Sequence, residues 1–174
     1  MNRRSIMSLS AITGFGLAVL PTAAISQQRT LKKQLIGAWT FVSSIDTDKA
    51  GVKSNRWGAN PIGLFIFAAD GRYSLMISRS DLPKFAAANV NQGTAEEYKA
   101  VVTGIVVSIG TWSADEKTKS FIANIEAGSF PNFIGTSQQR IISSLTLSEL
   151  KYTNSVTSTG TVVESTWKRA NISY

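Results

Sequence analysis

The chain contains neither cysteine nor histidine. Without cysteine no disulfide can staple the fold in any compartment, so stability must come from a packed core. Without histidine the commonest metal ligand and the commonest general base at neutral pH are both missing. Together these absences exclude Ser-His-Asp and Cys-His catalysis and nearly exclude a zinc site, which is built from the same side chains. A phosphate cradle is absent too, since Gly37, Gly63, Gly104, Gly110 and Gly135 fall into no nucleotide-binding spacing. Basic residues are scattered and nowhere interleaved with aromatics, which argues against nucleic acid as a partner.

Of the 174 residues, 43% are hydrophobic and 17% charged, ordinary proportions for one folded domain with a real core. The N-terminus reads separately. Arg3 and Arg4 precede the apolar run Leu9–Leu20, and then come Pro21 and small residues that include Ala24 and Ser26. That is the anatomy of a secretory signal over residues 1–26. The run falls short of the about 20 apolar residues a spanning helix needs. A retained anchor is the competing reading, and Arg3-Arg4 is compatible with either a twin-arginine or a plain export signal. Removing residues 1–26 leaves 16 basic against 11 acidic residues, a charge of +5. The expected product is periplasmic or secreted, with no membrane span after cleavage. Residues 27–36 form a polar lead-in, and residues 37–170 form the domain.

Within that domain the pattern is one of strands. Residues 37–46 alternate, with Trp39, Phe41, Ser43 and Ile45 expected on one face and Ala38, Thr40, Val42 and Ser44 on the other. Gly37 lets the chain bend into this strand, and Trp39 is placed to plug the bottom of a small barrel. Residues 47–60 are a turn-rich loop carrying Trp57. Strands are expected at 62–69 and 72–79, joined by a two-residue turn at Asp70-Gly71. The long connection 80–93 leads to the capping-box pattern Thr94-x-x-Glu97, which predicts a short helix to about Val102. Such a segment either covers an opening or is a surface crossover. Further strands are expected at 104–113, 120–128, 138–145, 149–153 and 161–169. Eight short strands with turn-like connections indicate an antiparallel barrel, wide enough inside for side chains or one small ligand.

The stretches Leu35-Ile-Gly-Ala-Trp39, Trp57-Gly-x-x-Pro-x-Gly63, Asp70-Gly-x-Tyr73, Ile77-Ser-Arg79, Glu96-Glu-Tyr98, Gly110-Thr111, Pro131-Asn132, Gly135-Thr136 and Gln139-Arg140 occur in this order. With Gly37-x-Trp39 opening the first strand and Trp167-Lys-Arg169 closing the last, the chain resembles the bacterial lipocalin-like domain family over about residues 35–169. The resemblance implies an eight-stranded lipocalin-like barrel in which Arg169 packs over Trp39. It also implies that Asn124 stands where the family often has a histidine, so proton shuttling from that position is not expected.

The candidate ligand-binding residues are Tyr73, Arg79, Asn124, Glu126, Arg140 and Trp57. Alternation puts Tyr73 with Arg79, and Asn124 with Glu126, on single strand faces, while Arg140 shares a face with Gln138, Ile142 and Ser144. If these faces look inward, Glu126 must meet Arg79 or Arg140, because buried charges need partners. The result would be an apolar cup with a few polar groups. If they look outward, the same residues are a solvated surface. Trp57 reads either as a gate at the mouth or as a packing plug. Three functions remain open: an exported barrel binding a small hydrophobic or amphipathic molecule, a metal-free isomerase or cyclase using Glu126 as base, and a structural barrel filled by its own side chains. No cofactor is expected for any of them.

Overall fold

Strand β1 (Gly37–Thr47) starts at a residue that only glycine tolerates. Gly37 has φ +124°, and a Cβ there would lie 2.9 Å from Nη1 of Arg169. The computed structural model describes residues 29–170, so the expected signal segment 1–26 lies outside the described residues. From β1 the chain runs through β2 (Lys53–Ser54), β3 (Ile62–Phe67), β4 (Arg72–Ser78), β5 (Ile105–Asp115), β6 (Ser120–Gly128), β7 (Ser137–Leu145), β8 (Glu149–Asn154) and β9 (Val162–Arg169). All pairings are antiparallel between sequence neighbours, except that β1 skips to β3. Strand β9 then returns to β1, with Trp39 opposite Arg169 and Thr47 opposite Val162. Eight strands therefore close into a barrel, as expected. The two-residue β2, which the turn-rich loop did not announce, pairs only with the end of β1.

The polar lead-in contains a single-turn helix, α1 (Leu31–Leu35), capped by the Thr30 hydroxyl, which accepts from the Lys33 N–H. Its two leucines are buried at one end of the barrel. There the Trp39 indole donates to the Leu35 carbonyl at 2.9 Å, and Arg169 lies 3.8 Å from the Trp39 ring centroid. The same guanidinium donates to the carbonyls of Ile36, Gln34 and Leu147. This end is closed. Helix α2 (Ala95–Gly104) has the capping box its sequence spelled out, with Thr94 and Glu97 exchanging hydrogen bonds.

Two local expectations are corrected. The β3–β4 connection is not a two-residue turn at Asp70-Gly71. Ala69, Asp70 and Gly71 form a three-residue loop in which the Gly71 N–H donates to the Ala68 carbonyl and Ala68 bonds Arg72. Gly71, at φ +91°, takes the left-handed position that closes this hairpin class. The second correction lies within β1. A bulge between Phe41 and Ser43 inserts one residue against β9. It inverts the alternation, so Ser44 and Asp46 point inward instead of Ser43 and Ile45.

The core is one aromatic cluster filling the closed half. Phe65 stacks on Phe67 at 4.0 Å between centroids, and Phe121 meets both edge-on. Trp167 and Tyr152 stack with an interplanar angle of 15°. On the outer surface, Leu64, Met76 and Val107 stand in register across β3, β4 and β5, all exposed.

Candidate functional site

The opposite end of the barrel is open. Between the aromatic cluster and solvent lies a cup of about 110 Å³. Its wall is largely apolar, with Ile77, Val106, Ile125, Trp57 and Phe133 among its lining residues. Polar side chains enter it from five strands because their alternation phases them inward: Asp46 from β1, Ser108 from β5, Gln138 and Arg140 from β7, Tyr152 from β8 and Ser165 from β9.

Arg140 is only 4% exposed and Gln138 only 3%. Arg140 Nη2 donates to Gln138 Oε1 at 3.1 Å, and the guanidinium lies 5.7 Å from the centre of the Phe121 ring. Arg140 Nη1 and Gln138 Nε2 have no hydrogen-bond partner, and no carboxylate of the described residues lies within ion-pair distance of this arginine. The Tyr73 and Ser108 hydroxyls share a hydrogen bond at 2.6 Å. Burial pushes the phenols of Tyr73 and Tyr152 up, so both stay protonated at neutral pH.

At the mouth the Arg56 guanidinium sits 4.4 Å from the Trp57 ring centroid and donates to the Thr103 carbonyl at the end of α2. Trp57 itself is buried, edge-on to Phe41 at 6.3 Å. It forms wall. Asp46 accepts from the Ser44 hydroxyl. Burial raises its carboxyl above the ordinary value, against opposing pulls from Ser44, Arg56 and Thr161.

The candidate residues therefore separate. Tyr73, Arg140 and Trp57 are interior. Asn124 and Glu126 are not: β6 turns its apolar face, Phe121, Ala123 and Ile125, inward, and the polar face meets solvent. Asn124 donates to Thr111 Oγ1 and accepts from the Ser137 hydroxyl on the outer surface. Glu126 pairs with Arg72, at 2.8 Å, instead of Arg79 or Arg140. Arg79 lies beyond the end of β4 and chelates Asp81. The physical reason is common to the two charged residues. Desolvating Glu126 and Arg79 in a cup already holding Arg140 would cost more than leaving them at the surface, whereas the apolar alternates gain by burial. Sequence reading missed Tyr152 and Ser165 as lining residues. Their signal was present, since Leu150 and Trp167 two positions away are plain core residues on the same faces.

A redesigned β-barrel matches at 13% identity and TM-score 0.42, over 81% of this chain and 96% of its own. A lipocalin-like protein from Bacteroides uniformis matches at 12% identity and TM-score 0.42, over 79% and 99%. No curated protein matches. The model of the lipocalin-like domain matches residues 36–170, the whole barrel from the residue before β1 to the residue after β9. With that span covered, the chain belongs to the lipocalin-like domain family, a barrel of the binding type.

Proposed function

We propose that this protein is an exported binding barrel that holds a small amphipathic molecule in its open end. The observation that carries the reading is the cup itself: apolar walls around two buried donor atoms, Arg140 Nη1 and Gln138 Nε2, that find no partner among the described residues. Apolar walls supply burial, and a few convergent polar atoms fix orientation. The interior beneath is filled by aromatics, so ligand volume is limited to the mouth half. That filling is the one feature favouring a purely structural barrel. Acid–base chemistry by Glu126 draws no support from its position on the outer surface, paired with Arg72.

Native mass spectrometry of protein purified from its own host tests the reading. A bound small molecule, lost when Val106→Trp fills the mouth, is the expected result. A bare mass in every preparation, with Val106→Trp simply raising stability, would favour the filled structural barrel. Export rests on residues 1–26 and is tested by the mass of the periplasmic protein, which should lack that segment.

A further inference from the structure

Charge bookkeeping inside the cup does not balance. The charged groups lining it are Asp46, Arg56 and Arg140. Asp46 and Arg56 attract each other at the mouth. Among the described residues Arg140 has no such counterpart, and one of its terminal nitrogens finds no acceptor. Isolating a guanidinium in low dielectric is costly, and buried cations are normally held by a carboxylate. The Tyr73 and Ser108 hydroxyls are engaged with each other at 2.6 Å, and the Tyr152 hydroxyl, beside Arg140, is neutral and carries no compensating charge.

We infer that the cup takes a small organic monoanion, a carboxylate on an apolar body, with its head on Arg140 and Gln138 and its body toward the mouth. The inference rests on the binding reading above and specifies its ligand class. Three separate observations converge. The cup is one positive charge in excess. The unpartnered atoms are both donors, Arg140 Nη1 and Gln138 Nε2, which is what an acceptor-only carboxylate requires. The excess of basic residues in the mature chain steers anions toward it. Size narrows the class. An enclosed cavity of about 150 Å³ suits benzene, so a cup of about 110 Å³ encloses a head and only a short body and leaves a ring or longer chain partly outside, at Phe130 and Phe133.

The test pairs acids with neutral isosteres: benzoate against benzamide, and octanoate against octanamide, titrated calorimetrically into the full mature protein and into Arg140→Met and Arg140→Lys. The acids should bind tighter than the amides by about tenfold to a hundredfold, the range of one charge-assisted hydrogen bond. Arg140→Met should erase that preference while raising the melting temperature, since it removes an unpaired buried charge. Arg140→Lys should keep part of the preference. Equal binding of acids and amides by the unaltered protein would overturn the carboxylate assignment and leave the binding barrel standing. An acid preference that survives Arg140→Met would overturn it too. If none of the four compounds binds, the carboxylate assignment falls, and native mass spectrometry of the host protein decides whether the binding barrel falls with it. The comparison on the unaltered protein holds even if a variant fails to fold.

Discussion

Arg169 shows how much one side chain can join. It covers Trp39, donates to three backbone carbonyls and ties the last strand to the lead-in helix. Arg169→Ala should lower stability by about 1–3 kcal/mol, from a cation–π contact and charge-assisted bonds that are only part-shielded. Lysine should restore little, because a single ammonium cannot reproduce the planar fork. Urea denaturation of the three proteins checks this. Glu126→Gln is the counter-case: both partners of its ion pair are half-exposed, so its loss should cost no more than about 1 kcal/mol and leave ligand binding unchanged. Asp46 gives a pH signature. Its carboxyl is raised by burial, so the folded state holds the proton more tightly than the unfolded state does. Stability therefore falls as pH rises from the ordinary value of 3.8 through the raised value, and the penalty is complete above it. Asp46→Asn should be more stable than the parent at pH 7 and no more stable at pH 3, as thermal melts at the two values will show.

At the level of elements, legibility divided along a physical line. The strands, the helix cap and the Trp39–Arg169 contact follow from local rules or from the family pattern, and they stand where expected. What failed was phase. The bulge in β1 leaves no mark in Phe41-Val42-Ser43, yet it decides that Asp46 faces the cup. In β6 the sequence did hold the answer, since Phe121, Ala123 and Ile125 form the more apolar face. A second bulge sits between Ile109 and Gly110, where a Cβ would collide with the Asn124 carbonyl oxygen. Helix α2 offers a test of its own. Glu97 accepts from the Thr94 and Ala86 N–H groups, at 2.7 Å each, and these bonds hold its carboxyl below the usual range. The stabilisation is present above the ordinary value of 4.5 and is lost as pH falls through the lowered one. Both amide resonances should titrate together below that value, and Thr94→Ala should cost about 1 kcal/mol.

Across the whole molecule, one continuous aromatic cluster touches every barrel strand that carries a buried ring, and no disulfide supports it. Thermal unfolding followed by near-UV and far-UV circular dichroism should therefore give coincident transitions, indifferent to reducing agent. Two separated transitions would mean that the open half melts apart from the aromatic half. The fold reads well from sequence because barrel closure needs only count and alternation. The cup reads less well because it depends on which strands bulge.

The closed end has a practical corollary. Arg29, just ahead of α1, lies beside Arg169 at the end of β9, and both border the same recess with Lys33 and Leu147. Whatever is spliced onto either side of the domain, whether an affinity handle, a biotin acceptor or a lipid tether, departs from the face remote from Phe130 and Phe133. The domain can thus be anchored to a sensor chip or a bead by either extremity with its entrance still facing the bulk.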